Sequence, residues 1–291
     1  MNQPKIAWII PCHNEEAAIS IVIHDIKKHC PNSSIYVFDN CSTDSTSKVA
    51  ADAGAIVIQE LRKGKGYVVN AMFEKIEADI YLMVDGDATY EIAAWQSLVE
   101  PIIQGRADMT VATRLQKYSS KSFRRFHVFG NNLIKGLINF IYDAQLNDVL
   151  SGYRAFSRQF VKSIPLGAKG FEVETELTIN ALEHRFSLVE VPCDYFDRAE
   201  GTVSKLNTFQ DGAIIIFTIL RLVKDHKPLT VFGTLSAVAL MLAVAFQYFA
   251  SADLAVIIFF GVSITSLFTG IILTTISQRI KELAQVMRKN A

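Results

Sequence analysis

Residues 81–91 read YLMVDGDATYE. An apolar run, Tyr81 to Val84, ends abruptly in Asp85-Gly86-Asp87. A strand that delivers two carboxylates one residue apart has two readings. One is a polar turn that closes the strand. The other is a site for a hard divalent cation, since Mg2+ and Mn2+ prefer oxygen ligands and share them with substrate phosphates. The turn redirects the second side chain, so both carboxylates reach one ion. Many strands end in Asp-Gly, so D-x-D by itself does not separate the two readings. Its company does.

The chain on either side repeats one pattern. IAWIIPC (6–12) leads into EEAAISIVIHDIKKH (15–29), where Ile19, Val22, Ile23 and Ile26 recur at helical spacing. SIYVFDN (34–40) precedes a helix over STDSTSKVAADAG (42–54), with Gly54 just past its end. AIVIQE (55–60) is a third strand, and a glycine–lysine loop then opens a helix near Tyr67. DIYLMVDGD (79–87) is a fourth strand, EIAAWQSLVEPII (91–103) a helix, and DMTVATR (108–114) a fifth strand. Alternation of this kind, with near-continuous apolar strands, predicts a mostly parallel sheet covered on both faces. Ligands bind such sheets beyond the C-terminal strand ends. Asn14, Glu15, Asp39, Asn40, Asp85 and Asp87 all fall there, and Lys63-Gly64-Lys65-Gly66 follows the third strand. Each motif alone has an ordinary explanation: Ser42 or Thr43 as a helix cap, glycines as turn formers. Together they line one crevice. A carboxylate there accepts hydrogen bonds from a ribose or base, and a lysine on a flexible loop reaches a diphosphate.

Composition narrows the partners. The 29 Lys and Arg balance 29 Asp and Glu, so no basic surface points to nucleic acid. Cys12, Cys30, Cys41 and Cys193 form no C-x-x-C pair and read as reduced thiols of a cytosolic compartment. The six histidines have no zinc-site spacing, and His13 is expected in the crevice. The run Ile6 to Ile10 is too short for a signal h-region, so no signal peptide is expected.

Hydrophobic residues make up 50% of the chain, and the excess lies at the C-terminus. LTVFGTLSAVALMLAVAFQYFA (229–250) and LAVIIFFGVSITSLFTGIILTTIS (254–277) contain no charge. At ~1.5 Å rise per residue each reaches ~30 Å, the thickness of a bilayer's hydrocarbon core. Their short SAD link makes a hairpin. Arg221, Lys224 and Lys227 precede it, Arg279, Lys281, Arg288 and Lys289 follow it, and the link has neither Lys nor Arg. Positive-inside bias then places both ends and the soluble domain in the cytoplasm. DGAIIIFTILRLVKDHKP (211–228) has an apolar face and a basic tail, as a helix lying in the membrane surface would. A packed helix of the soluble domain is its alternative. The expected division is a cytoplasmic domain over 1–210, an interfacial helix over 211–227, and a transmembrane hairpin with a short cytoplasmic tail over 228–291.

The motifs P-C-H-N-E (11–15), F-D-N-C-S-T-D (38–44), R-K-G-K-G (62–66), V-D-G-D-A-T-Y (84–90) and D-V-L-S-G-Y-R-A-F (148–156) carry a resemblance. As a set, and over roughly residues 4–210, the chain resembles family 2 glycosyltransferases of the dolichol-phosphate mannose synthase type. It is closer to bacterial undecaprenyl-phosphate (bactoprenol) sugar transferases with a C-terminal membrane hairpin. The resemblance implies a GT-A fold, a Rossmann-like α/β domain, followed by a two-helix transmembrane hairpin in the inner membrane. It implies inverting transfer of a sugar from a nucleotide-sugar to polyprenyl (undecaprenyl) phosphate, for cell-envelope polysaccharide or glycan modification. UDP-glucose is the first expectation for the donor, and GDP-mannose stays open.

Carried over by position, Pro11, Glu15 and Asp39 would contact the nucleoside, with Asn14 and Asn40 beside them. Asp85 and Asp87 would hold Mg2+ or Mn2+ and the diphosphate, and Lys65 lies in the G-K-G loop. Thr89 stands where the family often has Gln. Arg114 matches an arginine assigned to the acceptor phosphate. Arg124 and Arg125 open the next helical segment, where the family places a basic group. Arg198 and Lys205 resemble the family's R-x-x-G-x-S-K pattern. Asp148 is a candidate base, although a phosphate acceptor is already ionised and gains little from one. Its alternatives are positioning the acceptor or bonding Ser151 and Arg154. FEVETELTINALEH (171–184) reads as a solvated helix face, with Glu172 and Glu174 the acids able to face the cleft.

Two other functions compete. A processive polysaccharide synthase would carry Q-x-x-R-W, but neither Trp8 nor Trp95 follows Gln-x-x-Arg. A non-catalytic membrane scaffold with a degenerate transferase domain would have no need of an intact D-x-D. Gly233, Gly261 and Gly270 offer small-residue contacts for a homo-oligomer.

Overall fold

The computed structural model describes residues 4–115, 124–198, 208–249 and 253–289. The first part of the chain alternates as the apolar periodicity requires. Strand β1 (Ile6–Cys12) is followed by α1 (Ile19–His29), β2 (Ser34–Asp39), α2 (Thr46–Asp52), β3 (Ile56–Gln59), α3 (Lys65–Lys75) and β4 (Ile80–Met83). A 3-10 turn (Ile92–Ala94) then leads into α4 (Trp95–Ile103), β5 (Met109–Leu115) and α5 (Arg124–Tyr142). Beyond the five expected strands come β6 (Arg154–Ser157), α6 (Arg158–Ser163), α7 (Val173–Glu183) and β7 (Leu188–Asp194).

The seven strands form one sheet in the order β3-β2-β1-β4-β6-β5-β7. All neighbours run parallel except β6, which is antiparallel to both β4 and β5. Sequence periodicity missed β6 because its four residues, RAFS, are too few to show a period. Successive residues of a strand face opposite sides, so each central strand feeds two cores. Ile9, Tyr81 and Met83 pack on one face with α3, α6 and α7 residues such as Val69, Phe160 and Leu177. Trp8, Ile10 and Leu82 pack on the other with Ile23 of α1 and Leu98 of α4. This is the mostly parallel sheet that the strand pattern predicted, in the GT-A-like form that the resemblance implied. It sets the ends of β1, β2 and β4 side by side.

One expected surface is core instead. Helix α7 was read as solvated, yet every residue from Val173 to Ala181 is buried, Glu174 and Glu176 included. Glu176 is absorbed locally by accepting the Gly167 and Ala168 amides at 2.9 and 2.6 Å. Glu174 has a different use, described below.

The chain divides into two compact units between Thr218 and Ile219, inside α8 (Thr208–His226). The second unit contains α9 (Pro228–Phe249) and α10 (Asp253–Lys289). Residues 228–249 and 253–280 are candidate membrane spans, of mean hydropathy 2.2 and 2.4, with 17% of each apolar window buried. The two helices pack as a hairpin. Ser236 and Ser263 share a buried hydroxyl hydrogen bond of 3.0 Å, and Phe246 stacks on Phe259 at 5.4 Å. A Cβ on Gly270 would approach Phe232 Cβ to 3.0 Å, so this glycine is spent within the hairpin, whereas Gly233 and Gly261 have open space beside them.

Candidate active site

The turns after β1, β2 and β4 each place a non-glycine residue at positive φ: Asn14 (52°), Cys41 (58°) and Ala88 (57°). That conformation is uncommon outside glycine and clusters where a chain must be bent to aim side chains. The turns open onto a cavity of about 1280 Å3. Pro11, His13, Glu15, Asn40, Lys65 and both Asp85 and Asp87 line it from the β1–β4 side. Arg114, Asp148 and Arg198 line it from the β5–β7 side.

Asp85 and Asp87 are brought together as expected, and each has a cation. Lys65 Nζ lies 2.6 Å from Asp85 Oδ1 and 2.5 Å from Glu174 Oε1. Burial works against the ammonium's charge, but the two carboxylates hold its pKa above the usual lysine range. Arg198 Nη2 lies 2.7 Å from Asp87 Oδ2, while Thr89 Oγ1 donates to Asp87 Oδ1 at 2.7 Å. Thr89 thus orients the second carboxylate from the position where a Gln was expected. The glycines around the pair are there for room. A Cβ on Gly86 would meet Cys12 Sγ at 2.5 Å, and one on Gly152 would meet Asp85 Oδ2 at 2.2 Å.

Among the described residues no group of three or more His, Cys, Asp or Glu could hold a metal ion. Two carboxylates at one cavity wall still fit Mg2+ or Mn2+, which keep waters and complete their shell with substrate phosphates. The donor set is all oxygen, as such ions require.

The remaining β1–β4 residues divide into lining and scaffold. Glu15 is buried at the cavity wall, its amide donating to Thr46 Oγ1 at 2.8 Å. Asn40 ties the end of β2 to the loop after β3. Its Nδ2 donates to the carbonyls of Glu60 and Arg62, and its Oδ1 accepts from the Gly64 amide at 2.7 Å. That loop is braced by Glu60, which takes the Arg62 guanidinium at 2.9 and 3.0 Å. The hydrogen bond from Arg62, against some desolvation, holds the Glu60 pKa down at about 2.

Asp39 and Asn14 lie outside the cavity lining. Asp39 accepts from the Ser42 amide, Ser47 Oγ and Gln59 Nε2. Burial would raise its pKa, but these bonds leave it lowered. Asn14 Oδ1 accepts from the Thr43 amide at 2.7 Å, locking the β1 and β2 turns together.

On the β5–β7 side, Asp148 meets Arg114 rather than Ser151 or Arg154. Arg114 Nε and Nη2 reach its two oxygens at 2.6 and 2.8 Å, and the guanidinium lies over the Tyr195 ring at 5.6 Å. Burial opposes the Arg114 charge, while Tyr90 and Asp148 raise its pKa above the usual range. Arg154 is fully buried and donates to the carbonyls of Val149 and Ser151 and to Thr178 Oγ1, fixing the 148–152 loop from beneath. The backbone of Arg124 and Arg125 opens α5; their side chains, and all of Lys205, lie outside the described residues. Glu174, one of the two acids read as able to face the cleft, lines the cavity as the second partner of Lys65; sequence reasoning missed Gly152 as the floor under Asp85. The acid at helical spacing was visible, but nothing in the sequence marked α7 as buried.

Comparison with known proteins agrees with this geometry. Residues 7–164 match the family described as glycosyl transferase family 2. The "Glycosyltransferase AglJ" of Haloferax volcanii is 32% identical over 250 residues, covering 84% of this chain and 82% of the relative. The "Dolichyl-phosphate hexose transferase" of the same organism is 27% identical over 222 residues, covering 76% of this chain and 95% of the relative. Among solved structures, Mycobacterium tuberculosis glucosyl-3-phosphoglycerate synthase in complex with Mn2+ and UDP-glucose shares the fold. Its TM-score is 0.62 at 24% identity, over 75% of this chain and 79% of that one. A family match over more than half the chain and these relatives lead to one conclusion: the chain belongs to glycosyltransferase family 2 and is a glycosyltransferase.

Proposed function

We propose that this glycosyltransferase moves a sugar from a nucleoside diphosphate, UDP-glucose first, to the phosphate of a polyprenol such as undecaprenol, at the cytoplasmic face of the inner membrane. The observation that carries the proposal is the cavity in which Asp85 and Asp87 face Lys65, Arg114 and Arg198, in a chain that continues into two candidate spans. A relative named for dolichyl-phosphate hexose transfer and a structural neighbour holding Mn2+ and UDP-glucose support it.

In this proposal a lipid phosphate oxygen forms the new bond at the anomeric carbon as the bond to the nucleoside diphosphate breaks, with inversion. Asp85 and Asp87 would hold Mg2+ or Mn2+, which when bound supplies positive charge to the departing diphosphate. Lys65, steadied by Glu174, offers an ammonium to that diphosphate. Glu15 and the Asn40 loop shape the nucleoside end. Arg198 gives up Asp87 and turns to phosphate. Asp148 takes no proton: the attacking phosphate is ionised at neutral pH, and the carboxylate is committed to Arg114. Positioning and electrostatics do the work.

The proposal extends to the C-terminal part. Helix α8 exposes Ile214, Phe217 and Leu220 along with Arg221 and Lys224, as an interfacial helix would. With the basic residues outside the hairpin, both termini are placed in the cytoplasm. A second copy would pack where Gly233 and Gly261 leave open space.

The test is product formation. Full-length protein in detergent, given Mg2+, undecaprenyl phosphate and a panel of nucleotide-sugars, is expected to yield one lipid-linked sugar by mass spectrometry. No lipid product with any donor overturns the proposal.

A further inference from the structure

Thr89 and Tyr90 come just after the two acids. Thr89 orients Asp87 directly through its hydroxyl. Tyr90 has a different set of contacts. It is buried and lines the cavity. Its backbone is bridged to Tyr195 beyond β7, and its ring meets the Tyr195 and Tyr153 rings at 5.1 and 5.6 Å. The flanking backbone is tied to the same stretch. The Phe196 amide donates to the Thr89 carbonyl at 2.8 Å, and the Glu91 amide to the Asp194 carbonyl at 3.3 Å. The ring is thus fixed independently of its hydroxyl.

That hydroxyl accepts the Gly152 amide at 2.9 Å, with Ser151 Oγ at 3.4 Å. Gly152 is the residue against which Asp85 rests. A Cβ there would lie 2.2, 2.7 and 2.8 Å from Asp85 Oδ2, Cγ and Oδ1. Arg154 holds the same loop at the Val149 and Ser151 carbonyls, and the Gly152 amide is left to Tyr90. Burial raises the phenol's pKa, against Arg114 and with Asp85. The oxygen therefore stays a neutral hydroxyl and adds no charge beside the acids. A buried N–H that loses its partner is costly, so without the hydroxyl Gly152 would shift to find another.

We infer that Tyr90 is a positioning residue: its hydroxyl pins the Gly152 amide, and Gly152 in turn fixes the Asp85 carboxylate in the cation seat. The inference rests on the cation seat proposed above and names a residue that sets its geometry. Thr89 and Tyr90 then divide the work. One acts on Asp87 through its own hydroxyl, the other on Asp85 through a neighbouring backbone. Mg2+ and similar ions demand near-ideal ligand placement, so a displaced carboxylate holds them less well. Tyr90 therefore governs how tightly the cation is held, not how the nucleoside is recognised.

Titration calorimetry of UDP into full-length protein in detergent, with and without Mn2+, tests this. Tyr90→Phe keeps the ring and removes only the hydroxyl. It is expected to weaken UDP binding ~5-fold when Mn2+ is present, the scale of one neutral hydrogen bond, and to leave binding without Mn2+ within ~2-fold. Tyr153→Phe is the control. Its hydroxyl donates to the Ile92 carbonyl at 3.3 Å, in the same aromatic cluster but outside the cavity lining, so Mn2+-dependent binding should not change. Tyr90→Phe combined with Gly152→Ala is expected to lose no more than Gly152→Ala alone, because both act on one contact. Wild-type Mn2+ dependence in Tyr90→Phe overturns the inference while the proposed function stands. Equal loss with and without Mn2+, the same loss in Tyr153→Phe, additive losses in the double variant, or a Tyr90→Phe chain that does not fold also overturns it, since each separates the hydroxyl from Asp85. Wild-type protein whose UDP binding ignores Mn2+ overturns the cation seat itself, and the inference with it.

Discussion

The β1–β4 side of the sheet and the β5–β7 side reach one cavity by different routes. On the first, each functional group follows directly on the strand that aims it: Glu15 after β1, Asn40 after β2, Asp85 and Asp87 after β4. On the second, the groups arrive on a helix, a loop or a distant strand end: Arg198 beyond β7, Asp148 in a loop braced by Arg154, Glu174 on the buried α7. The difference teaches where polar groups come from. Parallel strands deposit acids at a shared edge by topology alone. The opposing cations and the floor beneath them depend on tertiary packing, which has no local period.

The comparison breaks most visibly at the acids themselves. Asp85→Ala or Asp87→Ala is expected to cut kcat/KM at least ~10^3-fold, the scale of lost metal and electrostatic stabilisation. A thermal midpoint near wild type would show that the fold survives. Activity within ~10-fold of wild type would mean that the β1–β4 side does not hold the chemistry.

A smaller loss is expected from the other side without touching any charge. A methyl at Gly152 would press on Asp85, so Gly152→Ala should lower turnover ~10^2-fold through misplacement of that carboxylate. Gly136→Ala, with nothing within 4 Å, is the matching control and should leave turnover unchanged. Equal effects from both substitutions would remove the claim that Gly152 supports Asp85.

Glu174→Gln sharpens the comparison further. Lys65 would keep Asp85 but lose its second counter-ion, and the donor KM should rise ~10-fold with kcat less affected. Steady-state kinetics over a donor series reads this directly. An unchanged donor KM would make Glu174 a packing residue.

The smallest effect belongs to the loop brace at Glu60. Its carboxyl has a pKa of about 2 in the folded protein, below the ordinary 4.5, so the pairing contributes stability that is fully present above pH about 4.5. That contribution fades as pH falls toward about 2. Arg62 is 54% exposed, so solvent screening keeps the effect small. The thermal midpoint of wild type should exceed that of Glu60→Gln by ~2–4 °C near neutral pH, with the gap closing below pH about 4.5. A gap that widens in acid would contradict the sign.

Much of this was legible in the sequence, for physical reasons that particular residues show. Tyr81 to Val84 read as a strand because a buried parallel strand needs apolar side chains on both faces, and Asp85 and Asp87 were where it had to end. Residues 229–250 and 254–277 read as spans because charge-free runs of that length are rare in a folded domain; α9 and the candidate span 253–280 match them, while α10 itself continues to Lys289. Four residues of β6 were too few to announce themselves. The acids of α7 imitated a solvent face because local spacing does not report what packs against a helix. Asp39 and Asn14, read by position beside the nucleoside, lie outside the cavity lining. They are bonded to neighbouring elements, Asp39 to Ser42, Ser47 and Gln59 and Asn14 to the Thr43 amide of the β2 turn, which residue type alone does not announce.

The central claim is that Asp85 and Asp87 form a cation-dependent seat for the donor's diphosphate. Titration of UDP into the full-length protein, with and without Mn2+, tests it most directly. The account predicts that Mn2+ strengthens UDP binding at least ~10-fold in the wild type and has no effect in Asp87→Ala. Binding equally tight without the ion, or equally enhanced by it in the variant, would contradict the claim.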